Sequence, residues 1–295
     1  MSLTELTPTS LRAWPLPTVQ TETDKESRGR VLVAGGATPV AGAVLLAAVA
    51  ALRAGAGKLQ VAAPASFATH LALSLPEARV FGLPETPEGE LAPEAADPLE
   101  AAVDRADAVV IGPGLLDSEA AGELALRLMQ PDGPPMVVDA AAMPRLAQEP
   151  GRARRHGGRL VLTPHAGEMA GLLGRDRADV EADPLDAART LAADLHAVVA
   201  LKGAQTFIVS PDGRAWRNVG GCPGLATSGS GDVLSGVIGG LLARGAPPAQ
   251  AAAWGSYVHG AAGRRLAARI APVGFLAREL LDEIAPALGE LDAPA

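Results

Sequence analysis

Short apolar runs that end in glycine, proline or aspartate recur along the chain, separated by longer stretches whose apolar positions repeat with a helical period. Arg30–Ala34 (RVLVA) runs into Gly35-Gly36 and is followed by an apolar stretch from about Ala41 to Ala54, which predicts a strand, a turn and a helix. Leu59–Ala63 predicts the next strand, with a helix from Ser66, and Ala108–Ile111 and Met136–Asp139 predict two more. Arg159–Leu162 ends at Thr163-Pro164, and Ala197–Leu201 ends at Lys202-Gly203. Thr206–Val209 and Ala215–Asn218 flank Pro211-Asp212-Gly213, a turn sequence that predicts a hairpin. Strands alternating with helices imply an α/β fold: a mainly parallel central sheet covered by helices on both faces, with one antiparallel excursion near residues 206–218. Ligands of such sheets gather at the C-terminal ends of the strands. Those ends are where the glycines and polar residues fall here.

Composition narrows the picture. The chain has 295 residues, 48% of them hydrophobic but only 3% aromatic, so its core is built from Ala, Val, Leu and Ile, with glycine permitting close backbone approach. A formal charge of −8 argues against a nucleic-acid or anionic-membrane binder, so any phosphate must be held locally. Val40–Leu52 and Val233–Ala243 are apolar but shorter than the roughly 20 residues a membrane span needs. A single cysteine, Cys222, allows no intramolecular disulfide and suggests no zinc site, which favours the reducing cytoplasm. Residues 1–28 hold Pro15, Pro17, Glu22, Asp24, Lys25 and Glu26 without the apolar segment of a signal peptide, and read as a loosely ordered lead-in. One domain is expected over residues 29–290, with Pro84–Pro98 as a surface loop.

The candidate chemistry centres on Thr227–Asp232 (TSGSGD). Gly229, Ser230 and Gly231 can point successive N–H groups into one concavity, and a helix is expected to begin at about Asp232, so the turn predicts an anion hole. Asp232 could simply cap that helix. Beside a phosphate cradle it is also placed to act as a general base toward a substrate hydroxyl. Thr163-Pro164-His165-Ala166-Gly167-Glu168 leaves a strand end with His165 and Glu168 projecting; a capping arrangement is the plainer alternative. Lys202, one of only three lysines, follows an apolar strand, and Gly203 beside it would let a nucleotide approach the backbone. Ile111–Leu115 (IGPGL) and Val138–Ala140 (VDA) are weak signals alone. Gly35-Gly36 lacks the third glycine of a dinucleotide-binding fingerprint.

Taken together, VLVAGGATPVAGAVLLAAVAALRAGAGKLQVAAP, VVIGPGL, VVDA, LTPHAGEM, ALKGAQTFIVSPDG and PGLATSGSGDVLSGVIGGLLARG resemble, in order from about Gly29 to Arg265, the ADP-dependent NAD(P)H-hydrate dehydratases, lyases of the ribokinase-like superfamily that repair nicotinamide nucleotides. The resemblance implies dehydration of the S-hydrate of NADH or NADPH at the expense of ADP, with AMP and phosphate released. Carried over by position, it implies hydrate contacts at Ala43, Gly114, His165 and Asp232, and nucleotide contacts at Lys202, Gly203, Ala204, Gln205, Thr206 and Gly231. It further implies Asp232 as the catalytic base, Gly229–Gly231 as the anion hole, Mg²⁺ on the phosphates with Glu168 as an outer partner, and ADP as donor with ATP as the other candidate. A homo-oligomer, with the tetramer as the expected state, and a separate epimerase chain are implied as well, because only a short segment precedes the first expected strand. Two departures from the family pattern stand out. Pro39-Val40 replace a usual tyrosine, and Asp139-Ala140-Ala141-Ala142-Met143 replaces DADAL. Two other functions share parts of the pattern: a ribokinase-like kinase of a vitamin precursor or sugar, and a non-catalytic nucleotide-binding sensor.

Overall fold

Residues 3–18, 28–116 and 119–292 are described by the computed structural model of the chain, and their strands join in one ten-stranded sheet. In chain order these are β1 (Leu3–Glu5), β2 (Arg30–Ala34), β3 (Lys58–Pro64), β4 (Ala78–Leu83), β5 (Ala108–Ile111), β6 (Met136–Val138), β7 (Leu160–Leu162), β8 (Val198–Leu201), β9 (Thr206–Val209) and β10 (Ala215–Asn218). Across the sheet the order is β1-β10-β9-β8-β7-β6-β5-β2-β3-β4. All pairs are parallel except those that β9 makes with β8 and β10, so the antiparallel excursion lies where the hairpin was expected.

Period-2 alternation divides the side chains between two cores. Val31, Val33, Val110, Val137 and Val161 face one layer of helices, Gly42–Arg53, Ser230–Ala243, Pro248–Arg269 and Ala277–Asp292. Leu32, Ala34, Val109, Ile111, Met136, Val138, Leu160 and Leu162 face the other, which includes Ala96–Val103, Glu119–Leu128 and Pro184–Leu195. Burial on both faces explains why these strands read as unbroken apolar runs.

The helix Ser230–Ala243 lies against both the sheet and the helix Gly42–Arg53. That approach is possible only because the contact residues have no side chain. A Cβ at Gly236 would stand 2.1 Å from the Ala47 carbonyl oxygen, and one at Gly240 would stand 2.3 Å from that of Ala51. The close fit fixes where the first turn of Ser230–Ala243 sits above the strand ends.

Several expectations shift. The anticipated lead-in is ordered over residues 3–18: β1 pairs in parallel with β10, and the helix Pro8–Arg12 follows. Trp14 stacks on Trp216 with ring centroids 5.1 Å apart, and its carbonyl accepts from Trp254 Nε1 at 2.9 Å. The rest of that segment, residues 1–2 and 19–27, lies outside the described residues. Strand β6 stops at Val138, so Asp139 belongs to the following turn, and the helix after the TSGSGD turn begins at Ser230 instead of Asp232. The edge strand β4 was not anticipated. Among the described residues no helix is long and apolar enough to cross a membrane.

Replacing Gly236 by valine forces the helix Ser230–Ala243 off its neighbour. Urea unfolding is expected to show a loss of about 1–3 kcal/mol or more, with a correspondingly lower midpoint; an unchanged midpoint contradicts this packing.

Candidate active site

The C-terminal ends of β2, β5, β6, β7 and β8 stand side by side, and the chain reversals after them interlock. Gly36 N–H donates to the Pro113 carbonyl at 2.8 Å, Asp139 N–H to that of Ile111 at 3.0 Å, and Lys202 N–H to that of Pro164 at 2.7 Å. Ala43 and Gly114 meet here, since a Cβ at Gly114 would stand 2.8 Å from that of Ala43. Two of the four residues expected to touch the hydrate are thus neighbours, brought together from the segments that follow β2 and β5.

Opposite these ends lies the turn before Ser230–Ala243. Gly229 holds φ at +88°, a conformation that favours glycine, and a side chain there would also displace the Leu46 methyl, 2.6 Å from a Cβ. A helix start leaves amides without intrahelical partners. Ser230 N–H reaches the Thr227 carbonyl at 3.2 Å and Val233 N–H that of Gly229 at 3.1 Å; among the described residues the Gly231 and Asp232 amides have no other backbone acceptor. The Ser230 hydroxyl turns inward, 3.0 Å from His259 Nε2. Burial pushes His259 down to about 4, against the hydrogen bond at Ser230 and with the Lys202 charge adding to the effect. It is therefore a neutral imidazole behind the turn at physiological pH.

Lys202 reaches across from β8 to this turn. A Cβ on Gly231 would stand 3.4 Å from its ammonium, which places the cation beside the expected phosphate position. Its Nζ is 3.2 Å from Asp139 Oδ1, with the Lys202 side chain 20% exposed and that of Asp139 4%. Burial works to discharge the ammonium, but Asp139, Glu168 and Asp232 outweigh it and raise its pKa. Asp232 is half-buried, and its carboxyl is pushed up to about 6: burial is the largest cause, the Asp139 charge adds to it, and Lys202 and the backbone amide oppose it. A carboxyl near 6 is mostly ionised at neutral pH yet more basic than an ordinary aspartate, which suits a general base.

His165 and Glu168 form a reciprocal cap on the helix Ala166–Leu173. His165 Nδ1 accepts from the amides of Gly167 at 3.0 Å and Glu168 at 3.1 Å, and Glu168 Oε2 accepts from His165 N–H at 2.7 Å. The capping alternative therefore describes their local bonds, and it leaves the His165 ring with Nε2 as its proton-bearing nitrogen. The ring is exposed and lines a cavity of about 810 Å³ with Lys202, Thr206, Thr227, Ser230, Gly231 and His259. Gly203 and Ala204 line the same cavity, whereas Gln205 faces a second cavity of about 740 Å³ on the other side of that loop. Ala43 and Gly114 line neither.

The sequence marks Thr163 only as a possible helix cap and gives no sign of the roles of His259 and Ser235, because the Thr163–Asp139, Ser235–Asp139 and Ser230–His259 bonds each join residues far apart in the chain. Among the described residues no three His, Cys, Asp or Glu side chains gather to hold a metal ion.

A sequence profile described as NAD(P)H-hydrate dehydratase matches residues 31–286. The chain is 49% identical over 287 residues to the ADP-dependent (S)-NAD(P)H-hydrate dehydratase of Xanthomonas campestris, covering 97% of this chain and 96% of that protein. It is 43% identical to the bifunctional NAD(P)H-hydrate repair enzyme Nnr of Moorella thermoacetica, covering 94% of this chain but 52% of that longer protein. Among solved structures, the ADP/ATP-dependent NAD(P)H-hydrate dehydratase of Bacillus subtilis, co-crystallised with ATP/Mg²⁺, superposes with a TM-score of 0.82 at 28% identity, over 99% of this chain and 100% of that one. A ribokinase-like superfamily protein of Enterococcus faecalis superposes with a TM-score of 0.83 at 26% identity, over 99% of this chain and 97% of that one. The ribokinase-like fold is therefore established.

The raised Asp232 pKa carries a stability consequence. Because the folded value is above the ordinary 3.8, the fold favours the protonated carboxyl; that stability is present below about pH 4 and is lost as pH rises through about 6. Asp232→Asn is accordingly expected to resist urea better than the parent at pH 7, by about 1–3 kcal/mol. The difference should close as pH falls from 6 to 4. A variant less stable than the parent at pH 7 contradicts the burial argument.

Proposed function

The chain belongs to the NAD(P)H-hydrate dehydratase family, and from that premise we propose that it restores NADH and NADPH from their (6S)-hydrates, consuming ADP and releasing AMP and phosphate. The near full-length match to the Xanthomonas campestris ADP-dependent dehydratase carries this reading. The arrangement of Asp232, Lys202 and the Gly229–Gly231 turn at one end of the sheet gives it a physical route.

ADP enters the cavity between the Lys202–Thr206 loop and the phosphate turn, with its terminal phosphate toward the Gly231 amide and the Lys202 ammonium. The hydrate lies toward His165, Ala43 and Gly114, with its ring hydroxyl at Asp232. Asp232 takes the hydroxyl proton as the ring oxygen bonds to the terminal phosphorus of ADP, and AMP departs with the electrons of the broken P–O bond. The ring C–O bond then breaks, phosphate carries away that electron pair, and the adjacent ring carbon loses a proton to give the dihydronicotinamide. Phosphate is a far better leaving group than hydroxide, so this second step requires no strong acid from the protein.

The hole is preorganised: the Gly229 conformation and the packing at Gly236 fix the amides before substrate arrives. Neutral His259 adds no charge behind the turn, leaving Lys202 as the cation that meets the phosphates. Mg²⁺, with Glu168 as its outer partner, would supply further neutralisation of charge on the transferring group. Its support is the Bacillus subtilis relative, which was co-crystallised with ATP/Mg²⁺.

Incubating mixed hydrates with Mg²⁺ and either ADP or ATP, while following the near-ultraviolet absorbance of reduced nicotinamide together with nucleotide products, tests this reading. Recovery of absorbance in step with AMP and phosphate is expected with ADP. A stable phosphorylated product would identify a kinase, and silence with both donors would defeat the reading. Asp232→Asn is expected to abolish turnover while AMP binding, followed by calorimetry, is retained; full activity in that variant removes Asp232 from the role of base.

A further inference from the structure

Asp139 occupies the position just before the short 3-10 turn Ala140–Ala142, where an aspartate ordinarily caps, yet its side chain makes no capping bond. The carboxylate turns instead into the protein. Its Oδ1 accepts from Thr163 Oγ1 at 2.7 Å and from Lys202 Nζ at 3.2 Å, and its Oδ2 accepts from Ser235 Oγ. These donors come from the ends of β7 and β8 and from the second turn of Ser230–Ala243. Ser235 Oγ also stands 2.9 Å from the Gly231 carbonyl, so the same cluster touches the phosphate turn.

Asp139 is 3% exposed. A buried ion pair of this kind is a poor source of net stability, because desolvation offsets most of the attraction. Its specific effect is on where the lysine goes. A free Lys side chain samples many rotamers; tied to Asp139, its ammonium is held beside Gly231 before any nucleotide arrives. Without that partner, Asp232 and Glu168 are the remaining anions acting on Lys202. An ammonium drawn to Asp232 would weaken that carboxylate as a base.

We propose that Asp139 is a positioning residue for phosphoryl transfer: anchored by Thr163 and Ser235, it engages the Lys202 ammonium and fixes it beside Gly231, leaving Asp232 to take the substrate proton. The role rests on the function proposed above and extends it to a residue that never touches substrate. The charged and titratable groups that bear on Asp232 are then distinct in task. Asp139 and Lys202 face it from the ends of β6 and β8. Glu168, next to His165 on Ala166–Leu173, acts on Lys202. His259 lies behind Ser230 on Pro248–Arg269, and Cys222 lines the nucleotide cavity.

The pH dependence of kcat/KM separates this from a merely structural role. ADP-dependent turnover by the parent, measured first, tests the proposed function by itself. In Asp139→Asn, which keeps shape and loses charge, the acid limb is expected to fall by about one pH unit, because the anion that raised Asp232 is gone and Lys202 pairs with it instead. The value of kcat/KM at pH 7 should drop roughly 10- to 100-fold, and KM for ADP should rise. Thr163→Val removes one anchor and keeps the charge, so its acid limb should stay in place while KM for ADP rises several-fold. In an active parent, an unmoved acid limb in folded Asp139→Asn overturns the inference. Should that variant not fold, a parental KM for ADP in Thr163→Val overturns it.

Discussion

A lysine ammonium held largely out of water at the end of a parallel sheet needs an anion, and the Asp139–Lys202 pair meets that need. The rest of the site depends on where this pair stands. It joins the ends of β6 and β8, Thr163 ties it to β7, and Ser235 ties it to the helix that follows the phosphate turn. Of the three carboxylates that act on Lys202, Asp139 and Asp232 are differently bonded and separate in character. Asp139 accepts from Thr163, Lys202 and Ser235, whereas the half-buried Asp232 has its carboxyl pushed up to about 6 by burial and the Asp139 charge. Environment, and not residue type, thereby makes one aspartate an anchor and the other a candidate base.

That division requires the phosphate turn to lie close to the strand ends, and closeness is a matter of side-chain size. Gly236 and Gly240 press on the backbone at Ala47 and Ala51, and Gly229 sits against Leu46, so the helices beginning at Gly42 and Ser230 share one close-packed seam. A chain with few aromatics is suited to this. Its core gains little from any single large side chain and more from many small contacts at short range. The seam also carries Ala43, an expected hydrate contact, and the turn residue Gly231 on the two helices it joins, so one packing feature bears on both halves of the proposed site.

Much of this was legible in the sequence. Strands buried on both faces, such as β2, β5, β6 and β7, announce themselves as apolar runs, and the β9–β10 hairpin through its Pro-Asp-Gly turn. The missed elements are those with a weak local signal. Strand β1 has three exposed residues and is set by pairing with β10, and β4 is an edge strand carrying half-exposed positions around Arg79. The site divides the same way. Phosphate turn, Lys202 and the His165–Glu168 cap are contiguous motifs with local physics. The Asp139–Thr163–Ser235 cluster and the Ser230–His259 contact join residues far apart in the chain, so no window of sequence displays them. For this reason VVDA is a weak signal by itself, and Ala141 in place of the second Asp of DADAL leaves the role of Asp139 open in the sequence.

In the proposed reaction the substrate hydroxyl oxygen becomes bonded to phosphorus before it leaves the ring. Hydrate carrying isotopically heavy oxygen in that hydroxyl, incubated with unlabelled ADP and Mg²⁺, tests it most directly through mass analysis of the released phosphate. One heavy oxygen in each phosphate, with none in AMP, is the predicted result. Unlabelled phosphate, with the label recovered in water, would contradict the account.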